Sequence, residues 1–186
     1  MFVRQSEMIA LEPNMSLAYW LEPAQAARDF FAAAIAELAA RFDAPLFEPH
    51  VTVYAGRKGD ENPEEMLRGA LANCEPFRLS VRDIQCSDEF TKTVFVQFEP
   101  SPELLRLNRA LQQGSTLHDE YQLNPHLSLI YKEMTLEARV DVATSVRVPF
   151  TEVLFDSAKA IVCATPIRLR ADVEAWRVVA AQRLTK

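Results

Sequence analysis

A duplicated α+β arrangement is the fold class that three features of this 186-residue sequence predict. Two histidine segments, EPHVTVY at 48–54 and NPHLSLIY at 124–131, share the order proline, histidine, aliphatic, hydroxyl, aliphatic. Each segment follows a helix-like run and precedes another helix-like run and at least two strand-like runs. With 49% hydrophobic residues the chain also has the apolar material for one compact domain, or for two small lobes sharing a core.

The elements follow in order. SLAYWL (16–21) is aromatic and aliphatic and reads as a strand. In PAQAARDFFAAAIAELAARF, Phe31, Ile35, Leu38 and Phe42 recur at helical spacing behind a proline suited to a first turn. The first histidine strand comes next. NPEEMLRGALANC then opens a helix with Asn62 as N-cap, Pro63 at its first position and Glu65 completing a capping-box pattern. FRLSVRDIQC and TVFVQFE read as strands, and Ser101 with Pro102 starts a helix extended through PELLRLNRALQQGSTLHDEY. The second histidine strand, HLSLIY, leads to a helix from about Leu136 to Val146. Three strand-like runs follow: FTEVLFDSA, AIVCAT and AWRVVAAQRL. For residues 1–14 the sequence leaves open a flexible arm or an extra edge.

A net charge of −6 argues against a surface built for long nucleic acid, which draws affinity from clustered Lys and Arg. A small anionic ligand in a local pocket is compatible with it. Cys74, Cys86 and Cys163 have neither CxxC nor metal-type spacing, and read as buried thiols of a reducing compartment. The N-terminus lacks the apolar core of a signal peptide, and no run reaches the roughly 18 apolar residues of a membrane span. A cytoplasmic monomer with no membrane partner is expected. Only four glycines are present, and phosphate loops of the GxGxxG or Walker type are absent.

In a strand, alternate side chains share a face, so His50 with Thr52, and His126 with Ser128, are set roughly 7 Å apart along one side. Pro49 and Pro125 suit strand starts, where a missing N–H is tolerated. Two such units facing a common cleft make a four-point site. One imidazole takes a proton from water and the other gives one to a leaving alkoxide, while Thr52 and Ser128 donate to the non-bridging oxygens of a phosphate. Such a site needs no metal. A zinc site would want a third ligand, and neither Glu48 nor Asp43 stands at a ligand spacing. A serine hydrolase would want a nucleophile elbow, which is lacking.

With those residues in view the chain resembles the two-histidine (2H) phosphoesterases, which carry paired His-x-Thr/Ser motifs on two related lobes, and within them the cyclic phosphodiesterase branch. The resemblance runs through SLAYWLEP, FEPHVTVYAG, TVFVQF, NPHLSLIYK and AWRVVA. It implies one domain, 1–186, of two pseudo-symmetric lobes, each an antiparallel sheet with flanking helices, enclosing a central cleft. It also implies a cofactor-free hydrolase that opens nucleoside 2',3'-cyclic phosphates or ADP-ribose 1'',2''-cyclic phosphate to a phosphomonoester. His50 and His126 would be the acid–base pair, and Thr52 and Ser128 the phosphate ligands. Tyr131, five residues after the second histidine, would touch phosphate or ribose; Ala55 holds the equivalent place in the first segment. RNA 2'-5' ligation or end trimming, and non-catalytic binding of 2'-phosphorylated or cyclic nucleotides, stand as alternatives. Trp20 and Tyr54 are read as core or rim aromatics that can stack on a base, Lys92 as an exposed loop cation, and His118 as a helix-end histidine without catalytic duty.

Overall fold

The computed structural model describes residues 14–185. Residues 1–13, and with them most of the segment left open between arm and edge, lie outside the described residues. The element order is β1 (Asn14–Pro23), α1 (Gln25–Phe42), β2 (Val51–Arg57), α2 (Pro63–Ala70), β3 (Phe77–Cys86), a 3-10 turn (Phe90–Lys92), β4 (Val94–Phe98), α3 (Pro102–Gly114), β5 (His126–Ile130), α4 (Leu136–Ser145), β6 (Glu152–Thr165), α5 (Arg170–Glu174) and β7 (Arg177–Arg183). The fold is α+β, with an antiparallel sheet and flanking helices.

Helix starts follow local chemistry. The Asn62 side chain accepts from the Glu64 and Glu65 N–H groups, Ser101 caps Leu104 and Thr135 caps Ala138. Each such cap stabilises by about 1 kcal/mol. Where the sequence suggests too long an element, the reason is also local. α3 ends at Gly114 instead of running on to Tyr121, because Gly, Ser and Thr are poor helix formers and the Ser115 N–H already closes on Leu111. His118 is therefore not at a helix end; it stands in the following loop at φ 48°.

From Glu152 onward, FTEVLFDSA runs through Lys159 into AIVCAT as one 14-residue strand, β6. The charge at its middle, Lys159, is tolerated because Glu22 and Glu48 meet its ammonium at 2.8 and 2.6 Å. β6 is the longest strand and ties the sheet together. Its Phe155 pairs with Pro23 of β1 on one side and with Phe77 of β3 on the other, and β7 takes over the β3 side from Ser157 to Val162. Pairing thus runs β1-β2-β5-β4-β3-β6 and returns from β6 to β1, with β7 outside that ring.

α1 packs on β5 and β1, α3 on β2, α4 on β3 and β4, and α2 on β7, β6 and α3. Alternation decides which side chains join this core. Leu17, Tyr19 and Leu21 of β1 face the helices with Val51, Val53, Leu127 and Leu129, whereas Ala18 and Trp20 pack on the other face with Ile161, Ala55 and Trp176. That second face carries the site.

Candidate active site

β2 and β5 meet at a single bridge, Val51 to Leu127. Extending that antiparallel register by one residue each way sets His50 across from Ser128 and Thr52 across from His126. Beyond the bridge the strands run off in opposite directions, each past the start of the other. The uncovered edge of β2 is satisfied by side chains: Tyr121 donates to the Thr52 carbonyl, Asn108 to the Val53 carbonyl, and Asp119 accepts from the Arg57 N–H. The four motif residues line one cleft of about 450 Å3, which is in the size range of small-molecule sites.

Strict alternation would also send Tyr54 and Ile130 into the cleft, and it does not happen. Opposite β2, the partner of Tyr19 is Tyr54 and that of Trp20 is Thr52, so Val53 is the extra residue of a bulge. Opposite β5, Val94 pairs with Ile130 and Phe95 with Ser128, which makes Leu129 the extra residue. Both bulges fall three residues after the histidine, and each switches the face presented downstream. Tyr54 goes into the core, and Ala55 and Tyr131 come to the cleft.

Both imidazoles are held alike. His50 Nδ1 lies 2.6 Å from the Glu48 carbonyl and His126 Nδ1 lies 2.7 Å from the Asn124 carbonyl. A carbonyl only accepts, so each Nδ1 carries a proton, and each Nε2, a lone pair in the neutral ring and an N–H in the imidazolium, has no protein partner among the described residues. In each case the bond spans a proline, a role for Pro49 and Pro125 beyond the strand starts that the sequence suggests.

The two surroundings differ. His50 is 6% exposed, stacked on Trp20 at 3.6 Å between centroids and met edge-on by Trp176 and Phe47. Burial pushes its pKa down to about 3, with His126 and Lys159 adding repulsion and the Glu48 carbonyl opposing them. An indole face attracts a cation by about 1–2 kcal/mol, but desolvation dominates. His126 is only half-buried, and burial lowers its pKa too, with Lys92 pushing it down and Glu89 pulling it up. Lys92 is nearer the site than an exposed loop cation would be: its ammonium lies 5.9 Å above the Phe95 ring, which meets His126 edge-on, and pairs with Glu89 at 2.8 Å.

Of the hydroxyls, Ser128 donates to the Thr91 carbonyl at 2.7 Å, so a ligand that claims its proton must compete with that carbonyl. The Thr52 hydroxyl has no hydrogen-bond partner among the described residues. Tyr131 is buried, stacked on Phe47 at 3.8 Å, and burial raises its pKa while a hydrogen bond with Ser128 opposes the rise. Trp20 reaches the cleft by stacking on His50. Trp176 completes the aromatic wall, with Phe47 packed against Tyr131 and His50, and the Trp176 indole N–H is buried without a hydrogen-bond partner among the described residues. The sequence signal for this wall is faint: Phe47 stands three residues before His50, and Trp176 stands at the head of the last strand.

Lys159 holds the carboxylate of Glu48, the residue whose carbonyl fixes His50, and adds positive charge beside the imidazole. Lys159→Met is expected to raise the His50 titration midpoint towards its ordinary value, read by imidazole NMR, and Lys159→Arg to restore it. An unmoved midpoint in Lys159→Met refutes the electrostatic link. Among the described residues no group of three or more His, Cys, Asp or Glu side chains is gathered for a metal ion.

An antiparallel α+β fold with two carbonyl-anchored imidazoles and two hydroxyls lining one cleft frames the comparison, and known proteins share the fold. A family model for the 2'-5' RNA ligase superfamily matches residues 23–159. A curated cyclic phosphodiesterase of Arabidopsis thaliana is 25% identical over 122 residues, 64% of this chain and 67% of that protein. Apo E. coli LigT matches with a TM-score of 0.56 at 14% identity over 94% of this chain and 99% of its own, and TT0787 of Thermus thermophilus with 0.55 at 19% over 91% and 97%. LigT has also been solved with 3'-AMP and with ATP. The chain belongs to the 2'-5' RNA ligase superfamily, the two-histidine phosphoesterases.

Proposed function

We propose that this protein is a metal-independent phosphodiesterase that hydrolyses small cyclic phosphates, nucleoside 2',3'-cyclic phosphate or ADP-ribose 1'',2''-cyclic phosphate, to a phosphomonoester. The observation that carries this reading is the pair of imidazoles, each fixed through Nδ1 with Nε2 turned to a common cleft. The similarity to a cyclic phosphodiesterase supports it.

The difference in burial supports one division of roles, with His50, kept neutral, as the base and His126, in the wetter surroundings, as the acid. Water attacks phosphorus as its proton passes to His50 Nε2; the ring P–O bond breaks, and the departing sugar oxygen takes the proton on His126 Nε2. The product is a phosphomonoester with a free hydroxyl, and solvent exchange resets both rings. The negative phosphate offsets the desolvation of each imidazolium as it forms. Thr52 holds a non-bridging oxygen, Ser128 a second, and Tyr131 bounds the sugar side.

The test is turnover with EDTA present, offering 2',3'-cyclic nucleotides, ADP-ribose 1'',2''-cyclic phosphate and a short RNA with a cyclic end. Hydrolysis of a small cyclic phosphate that EDTA leaves unchanged is expected. Loss of turnover in EDTA sinks the metal-independent mechanism, and binding without turnover, or joining of RNA ends alone, sinks the hydrolase.

A further inference from the structure

The catalytic cleft is poor in fixed positive charge. Arg57 is the one guanidinium or ammonium lining it among the described residues, and Asp119 grips that group at 2.8 Å. A second cavity of about 290 Å3 adjoins the cleft and is basic. Its walls continue those of the first residue by residue: Thr91 and Ile167 line the cleft, their neighbours Phe90 and Arg168 line the cavity, and Tyr131 lines both. The two spaces are therefore neighbours, with Tyr131 the wall they share.

Three cations, Lys132, Arg168 and Arg170, line this cavity, and their charge is incompletely met. Arg170 pairs with Asp43 at 2.6 Å and with Glu174 at 3.8 Å. Lys132 gives its ammonium to the Asp43 main-chain carbonyl at 3.1 Å, a neutral acceptor. The Arg168 side chain has no hydrogen bond or ion pair among the described residues. Of the carboxylates lining the cavity, Asp43 is already engaged by Arg170, and Glu133 is the other. In a chain of net charge −6, cations left open beside a phosphate-sized site need a reason.

We propose that this cavity is a second anion subsite, in which Arg168 and Lys132 hold another phosphate of the molecule whose cyclic phosphate lies between the histidines. The inference rests on the proposed function and narrows it: the substrate is a cyclic phosphate that also carries a 5'-phosphate. The planar guanidinium of Arg168 suits two phosphate oxygens at once, and Lys132 adds a point charge beside it. Tyr131 is the shared wall on which the intervening sugar rests.

The experiment compares adenosine 2',3'-cyclic phosphate with and without a 5'-phosphate on wild type, Arg168→Gln and the Arg168→Gln/Lys132→Gln double variant. A 5'-phosphate is expected to raise kcat/KM about tenfold in the wild type, the worth of one good charge-assisted contact. The gain should fall to within about twofold in the double variant, with the unphosphorylated substrate unaffected. Arg168→Gln, which removes an exposed and unpartnered side chain, guards against a folding defect. No gain in the wild type, or a gain that survives in the double variant, overturns the subsite. Calorimetry with adenosine 2'-monophosphate and adenosine 2',5'-bisphosphate decides it independently of turnover. If no cyclic phosphate is hydrolysed, the hydrolase reading fails alone, and tighter bisphosphate binding that the double variant loses still supports the subsite; equal affinities overturn it.

Discussion

His50→Ala and His126→Ala are each expected to lower kcat for a small cyclic phosphate by about 10²-fold or more. Each removes one of the two groups proposed to move protons, and Thr52 and Ser128, which stay in place, have no comparable basicity. Circular dichroism should show both variants folded, although His50→Ala also opens a gap against Trp20 and is expected to melt lower. A variant that keeps near wild-type rate refutes the pair. The pH profile separates the roles. The base must be neutral, and His50 is neutral above about pH 3; the acid must be protonated, and His126 loses its proton below the ordinary histidine value of 6.5. Wild-type kcat/KM should therefore peak in acid and fall as pH rises through the His126 midpoint. The limb for kcat should lie at higher pH, because bound phosphate favours the imidazolium. His126→Ala loses the alkaline limb altogether; its survival there would mean that another group is the acid.

Leu127→Ala is expected to cost about 2–5 kcal/mol of stability, read as a lowered denaturation midpoint in urea. Leu127 is fully buried and is the β5 half of the single bridge that joins the two histidine strands. Its loss removes apolar area and leaves a cavity behind the site. Because Leu127 lies between His126 and Ser128, kcat should fall even where the variant is fully folded. A loss under about 1 kcal/mol would show that the bridge is carried by backbone pairing and the neighbouring strands instead.

Much of this is legible in the chain because it is local. Asn62, Ser101 and Thr135 cap helices through atoms two or three residues away, and the period of Phe31, Ile35 and Leu38 is a property of one helix. The doubling of Pro-His-x-Thr/Ser, and the side of the strand shared by His50 with Thr52 and by His126 with Ser128, follow from alternation over three residues. α3 reads too long because the polar run after Gly114 masks the stop. β6 reads as two strands because the partners that accommodate Lys159, Glu22 and Glu48, are distant in the chain.

Taken alone, the amino-acid order specifies most of the elements, the two histidine motifs and their likeness to the two-histidine phosphoesterases. It took the packed chain to establish that the motif strands touch at Val51 and Leu127, that bulges at Val53 and Leu129 turn Tyr54 inward and Tyr131 to the cleft, and that Trp20 and Trp176 desolvate one histidine more than the other. Alternation is written in one strand, but a bulge exists only against a partner, and burial is the sum of neighbours drawn from β1, β2 and the approach to β7. The unequal burial on which the proposed base and acid roles rest therefore arises from packing, while the motifs themselves are nearly the same.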